Sequence, residues 1–247
     1  MNQHSRYSII RKRGELKCKK FFFSLLGALI YMKITEKLNG ERLKFISDIH
    51  YNHAGILRFG YPCREKWKTL PEMNRGLEEI LEKETKSEDT LIDLGDLFWK
   101  ISVPEALRIL RRIKATRFYK IYGNHDSWNL WNKYDDISNF PVVKGDLMDF
   151  TVGFKGKDYH LSVSHYPLLS WNHKSRGSLM LHGHCHGNND SLNDSSPDLR
   201  VDLSFDGGLA QKVGHGIITF QEIIEHFDQK TGGMDYKEWT LKNCKNI

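Results

Sequence analysis

The sequence predicts an α/β fold, a two-sheet β-sandwich flanked by helices, and three observations predict it. Apolar-leaning runs at 42–47, 90–94 and 117–122 are separated by amphipathic helical patterns at 72–84 and 104–114. That strand, helix, strand, helix, strand order belongs to a parallel sheet with right-handed crossovers. Beyond residue 140 the texture changes to short alternating segments, the mark of a second sheet. The length of 247 residues suffices to bury the core of one large domain.

Each element has its own reason. The run 42–47 stops at Asp48, 90–94 stops before Gly95-Asp96, and 117–122 before Gly123-Asn124, so each run ends on a polar turn. Within 72–84, Met73, Leu77, Ile80 and Leu81 recur at helical spacing. Within 104–114, Pro104 suits a first helical turn, and Ala106, Leu107, Leu110 and Ile113 are spaced to face a sheet. The segments 147–154 and 159–164 join through Gly156 as a hairpin, 178–181 and 199–205 are further strands, and 187–198, rich in Asn, Asp and Ser, is a loop. Thr219 and Glu222 match a capping box ahead of a helix reaching about Phe227, with a strand at 216–220 as the competing reading. No internal repeat is visible.

The formal charge of +6 suggests nucleic acid until it is located. Residues 1–31 hold seven Lys/Arg against one acidic residue, which leaves basic and acidic residues equal in number beyond. The basicity belongs to a tail, so neither an obligate nucleic-acid partner nor an obligate membrane partner is expected for the body. In the tail, basic residues 17–20 precede a mostly apolar run at 21–31, which imitates a secretory signal. No small-residue cleavage site follows, and a run of about 11 residues falls short of the roughly 20 that cross a bilayer. A signal or anchor, an amphipathic extension and an upstream mis-start with initiation at Met32 are the three readings. The last is favoured, because Leu26-Gly27-Ala28 can be encoded by a purine-rich ribosome-binding sequence and the composition turns domain-like at that point. The expected organisation is an N-terminal extension at 1–31 and one domain at 32–247. Cys18, Cys63, Cys185 and Cys244 are widely spaced with no CxxC pair, so free thiols and a cytoplasmic, reducing setting are expected.

Five clusters carry the chemistry: Ser47-Asp48-Ile49-His50, Gly95-Asp96, Gly123-Asn124-His125-Asp126, Ser164-His165-Tyr166-Pro167 and His182-Gly183-His184-Cys185-His186-Gly187. Imidazole nitrogen with carboxylate and amide oxygen suits manganese, iron, nickel or zinc. Two such ions activate water against a phosphate ester. The first three clusters fall just past strand ends, where open α/β sheets place their sites. His184 and His186, alternating by two, would share one face of an extended segment. His182 shares that face as a structural residue, and His53 is expected to be an ordinary loop histidine. Tyr166, Trp171, Lys174 and Arg176 sit between ligand clusters, where packing and a solvated loop outweigh substrate contact.

In this order the clusters match the D-x-H, GD, GNH-D/E, H and GHxH series, and the chain resembles the calcineurin-like metallophosphoesterases over about residues 42–187. Ser164-His165-Tyr166-Pro167-Leu168, Leu181-His182-Gly183-His184 and Pro71-Glu72-Met73-Asn74 are similar to small bacterial and phage members. The resemblance implies the metallo-dependent phosphatase-like α/β/β/α arrangement. It also implies two divalent ions, with Asp48, His50 and His186 on one, Asn124, His165 and His184 on the other, and Asp96 bridging. Manganese is the favoured metal. His125 is left to protonate the departing alkoxide, with Asp126 orienting it. The implied substrate is a small phosphomonoester or phosphodiester, nucleotide-like by preference, and a non-catalytic binding scaffold is the alternative. Protein phosphatases of the superfamily carry GDxVDRG, whereas here Gly95-Asp96 is followed by Leu97-Phe98-Trp99-Lys100, which argues against a phosphoprotein substrate.

Overall fold

The computed structural model describes residues 18–20, 29–135 and 142–244. The readings made for 1–31 fall largely on residues 1–17 and 21–28, outside the described residues. Cys18–Lys20 (β1) pairs antiparallel with Tyr31–Asn39 (β2). Leu43–Ile46 (β3), Thr90–Asp93 (β4), Arg117–Ile121 (β5) and Val142–Gly145 (β6) run parallel, with Leu70–Lys83 (α1) and Val103–Leu110 (α2) as the first two crossovers. Trp128–Asp135 (α3) follows β5.

The hairpin Leu147–Phe154 (β7) and Lys157–Ser164 (β8) opens the second sheet, which continues through Leu179–His182 (β9) and Arg200–Asp202 (β10). Asp190–Ser195 (α4) and Gly208–Val213 (α5) flank β10, and Ile218–Thr219 (β11) joins the first sheet beside β3 before Phe220–Thr231 (α6) and Tyr236–Asn243 (α7). The sheet orders are β1-β2-β7-β8-β9-β10 and β11-β3-β4-β5-β6. Among the described residues no helix is long and apolar enough to cross a membrane.

Period-two alternation sorts the central strands between two cores. Ile92 and Tyr119 point into the space between the sheets, with Phe150, Val152, Leu161, Val163 and Leu181 opposite. Leu91 and Phe118 point the other way, onto Met73, Leu77 and Leu81 of α1 and Leu107 and Leu110 of α2. The helices start where their caps dictate: Thr69 accepts from the Glu72 N–H, Ser102 from the Glu105 N–H, and Thr219 and Glu222 complete a reciprocal box. The capping box holds, with α6 extending past Phe227 to Thr231, and the strand read at 216–220 is confined to Ile218–Thr219, ending on the residue that caps α6.

Two expectations need correction. The stretch 187–198 is not all loop, because α4 forms inside it. Its Asn193 is buried, donating to His182 Nε2 and accepting from Arg200 Nε, so tertiary anchoring orders a segment of poor helix formers. His184 and His186 are not extended either, since both lie in the turn after β9 at φ 71° and 49°. The central strand β2, where Met32, Ile34 and Leu38 are buried between polar residues, was not anticipated.

Candidate metal centre

The carboxyl ends of β3, β4 and β5 in one sheet and of β8, β9 and β10 in the other meet at one place. Past β3 and β4 the two ligand-bearing loops run side by side, with Asp48 N on Gly95 O (2.9 Å), His50 N on Asp96 O (3.0 Å) and Tyr51 N on Leu97 O (3.0 Å). From the other sheet, Gly183 N donates to His165 O and Phe205 N to Ser47 O, tying the turn after β9 to the same crevice. Gly95, at φ 116°, and Gly123 sit where an added Cβ would strike His165 and Asp96 respectively, so the close approach of the loops requires glycine.

Nine described non-glycine residues have positive φ, and five of them are Asp48, His50, Asp96, His184 and His186. Left-handed backbone at such residues costs on the order of 1–3 kcal/mol each, and it persists where surrounding structure holds it for a purpose. Its concentration on the expected ligands singles out this crevice as the candidate site.

Two overlapping groups of ligand atoms form, Asp48 with His50 and His186, and Asp48 with Asp96 and His165. Asp48 Oδ2 is saturated by Ser47 Oγ (2.5 Å), His184 N (2.8 Å) and Ser204 Oγ (3.1 Å). Its Oδ1 is buried with no hydrogen-bond partner and lies 3.7 Å from His50 Nε2 and 3.5 Å from His186 Nε2. Those two nitrogens face each other at 3.2 Å. Burial opposes ionisation of Asp48, yet His50, His165, His186 and Ser47 together hold its pKa below the ordinary carboxylate range. Asp96 Oδ2 lies 3.9 Å from His50 Nε2 and 3.6 Å from His165 Nε2, facing both groups. His165 Nε2 meets Asn124 Oδ1 at 3.1 Å, and the His184 ring packs 5.0 Å from His165. An orphaned carboxylate oxygen among converging imidazole nitrogens fits divalent cations, and the donor set lacks thiolate.

The histidines are aimed from behind. His165 Nδ1 is 2.9 Å from Leu94 O and His186 Nδ1 is 2.9 Å from Asp206 Oδ2, which leaves both Nε2 atoms to the crevice. Asp206 is in turn clasped by Arg64 (2.6 and 2.9 Å), whose Nη atoms also hold the Asp48 and Ile49 carbonyls. Burial opposes protonation of His186, but its bond to Asp206 and the charge of Asp48 raise its pKa. Asp206→Asn should weaken divalent-ion affinity by about 10–100-fold, the usual cost of losing such an outer partner, and metal titration of the folded variant checks it.

Asp126 takes a different place from the one expected. Its Oδ2 accepts from Asp96 N (3.0 Å) and Gly123 N (2.8 Å) and pairs with the buried Lys120 ammonium (2.8 Å), while Oδ1 accepts from Trp131 Nε1. Among the described residues it makes no hydrogen bond to the His125 ring. The carboxylate therefore staples the Gly95-Asp96 and Gly123-Asn124 loops together instead of orienting His125. His125 itself is exposed at the rim, with its Nε2 3.9 Å from Asp96 Oδ2.

The remaining residues sort plainly. His182 is fully buried, with Nδ1 on Gly183 O and Nε2 receiving Asn193, so its grouping with Cys185 and Asp202 leaves it no free nitrogen for an ion. Trp171 is buried on Ser178 O and Lys174 pairs with Asp198, while Tyr166 is exposed beside His184. His53 is more than a loop residue, since its ring stacks on Trp99 at the rim. Arg64, Asp206, Lys120 and Asp93 were missed. Asp202, Ser204 and Asp206 at alternating positions, and a lysine inside the apolar run 117–122, were the available signals.

A family model for calcineurin-like phosphoesterases matches residues 41–230. No curated protein matches. Among solved structures, a protein of unknown function from Aquifex aeolicus superposes with a TM-score of 0.53 at 24% identity, over 74% of this chain and 98% of its own. That likeness is one of fold.

Proposed function

This chain belongs to the calcineurin-like phosphoesterase family, and from that premise we propose that it hydrolyses small phosphomonoesters or phosphodiesters, nucleotide-like ones foremost, with two divalent cations, manganese by preference. The observation that carries the reading is the unpartnered, buried Oδ1 of Asp48, the residue common to two ligand groups at the meeting point of both sheets. Asp48, His50 and His186 would hold one cation, and Asn124, His165 and His184 the other, with Asp96 between them. When bound, the pair supplies an activated water and neutralises charge on the phosphoryl oxygens.

The chain's own residues do the rest. Asp48 and Asp96, both buried, would place carboxylate oxygens where the cations are proposed to sit. Asp206 and Leu94 O fix which ring nitrogen of His186 and His165 faces inward. His125, exposed and outside both ligand groups, is free to give a proton to the departing alkoxide. A cytoplasmic setting belongs to the same proposal. Cys185 lies between two proposed ligands, and a disulfide there would pull the loop out of place.

The test compares p-nitrophenyl phosphate and bis-p-nitrophenyl phosphate with and without manganese, followed by a screen of nucleotides. We expect turnover that needs the metal, and His125→Ala to retain metal while losing about 10²–10⁴-fold in rate, the usual worth of a positioned acid. The alternative of a non-catalytic scaffold requires that wild type bind manganese and turn over neither ester nor any nucleotide.

A further inference from the structure

His125, the proposed proton donor, lies outside both groups of ligand atoms. Among the described residues neither of its ring nitrogens makes a hydrogen bond to a side chain, and its Nε2 stands 3.9 Å from Asp96 Oδ2, beyond hydrogen-bond range. Its backbone is tied, through His125 N on Asp96 Oδ1 (2.8 Å), but that bond does not fix the imidazole. An exposed ring held only by its backbone would turn about χ2, a broad torsion, and spend part of its time aimed away from the leaving group.

Packing supplies what hydrogen bonding does not. The Trp99 indole meets His125 edge-on, with centroids 4.4 Å apart at 60°. Behind the indole the His53 ring lies stacked at 3.9 Å and 11°, and His50 closes another side of His125 at 5.5 Å. The Trp99 backbone is itself pinned, since its main-chain N–H donates to Tyr51 O (2.8 Å) and its carbonyl accepts from Asn52 Nδ2 (3.3 Å). Asn52 N in turn donates to Asn74 Oδ1 at 3.0 Å, on α1. A rigid backbone thus presents a flat indole to one side of an imidazole that, among the described residues, no side-chain hydrogen bond steers.

We propose that Trp99, backed by His53, is the positioning residue that holds the His125 imidazole in its proton-donating orientation, by ring packing where a carboxylate would otherwise serve. The proposal rests on the reading of His125 as proton donor. Positioning a proton donor has a signature that general loosening of a fold lacks. It matters most when the departing oxygen is basic and needs its proton early, and least when the leaving group departs as a stable anion.

The experiment uses the manganese-loaded full chain on two esters, phenyl phosphate with its more basic leaving group and p-nitrophenyl phosphate with its better one. Trp99→Ala is expected to lower kcat on phenyl phosphate by about tenfold or more and on p-nitrophenyl phosphate by less than about threefold, with KM within about twofold. Trp99→Phe should restore most of the loss, and His53→Ala should show a weaker form of the same skew. Metal content should equal that of wild type. In the metal-free protein, the His125 ring-proton NMR signals, assigned by their disappearance in His125→Ala, should move toward random-coil positions in Trp99→Ala.

An equal fall on both esters, a change confined to KM as for a substrate-stacking platform, or unmoved His125 signals would overturn the proposal while leaving the hydrolase reading intact. Full rate in His125→Ala would instead overturn the proton-donor reading, and this proposal with it.

Discussion

Asp96→Asn is expected to lose both the bound metal and the hydrolytic rate. The substitution keeps the shape and the Oδ1 acceptor used by His125 N (2.8 Å), so the loop has every reason to stay folded. What it removes is charge at Oδ2, the atom that faces His50 Nε2 (3.9 Å) and His165 Nε2 (3.6 Å) at once. Two cations close together repel, and a shared carboxylate is what offsets that repulsion. Loss of an outer partner weakens metal binding by about 10–100-fold, so loss of the proposed shared ligand should exceed a hundredfold. Metal content after desalting and turnover of p-nitrophenyl phosphate are the two readouts. A variant that keeps its metal and its rate would mean that Asp96 is not where the cations sit.

Lys120→Met is expected to destabilise the protein severely, although it replaces a charge with an apolar side chain of similar length. The Lys120 ammonium is fully buried between Asp93 Oδ2 (2.7 Å) and Asp126 Oδ2 (2.8 Å), 4.8 Å from the centroid of the Trp131 ring. Burial would strip its proton, but Asp126 and Asp93 hold it charged. For Asp93, burial outweighs the lysine and, with the neighbouring Asp126 charge, pushes its pKa up.

Removing the cation leaves two carboxylates facing each other in the interior, a loss of about 3–5 kcal/mol for breaking a buried pair from one side. At roughly 2–4 °C per kcal/mol for a chain of this size, the melting temperature should fall by about 6–20 °C. Adding Asp93→Asn should return part of that loss, because only one carboxylate then remains. Thermal unfolding followed by circular dichroism checks both. Hydrolysis should suffer below the melting point as well, since Asp126 then no longer has a counter-charge while it holds Asp96 N and Gly123 N in place.

Much of the fold was legible because burial on both faces makes β4 and β5 predominantly apolar runs, and because the caps of α1, α2 and α6 are local chemistry. Strand β2 was not, because its alternation of charged and apolar residues reads equally as surface chain until β1 and β7 flank it. Helix α4 was hidden for the converse reason: Asn, Asp and Ser favour loops, and only the buried bonds of Asn193 to His182 and Arg200 hold them as a helix. Five of the expected ligands, Asp48, His50, Asp96, His165 and His186, fall within the two groups of ligand atoms, but the argument for His184 and His186 from extended alternation was wrong in its geometry. Left-handed φ, not a strand, places them.

By itself the sequence determined the kinds of donor, their order, and their attachment to strand ends. These follow from residue identity and from periodicities of two and 3.6, both local quantities. Only the tertiary structure decided which oxygen of Asp48 is left free, that Asp206 and Arg64 aim His186, that Asp126 turns inward to Lys120, and that Trp99 flanks His125. Each of those outcomes depends on which atoms meet after two sheets close on one another. Hydrogen-bond partners as distant as Asp48 and His184, 136 residues apart, leave no trace in the neighbourhood of either.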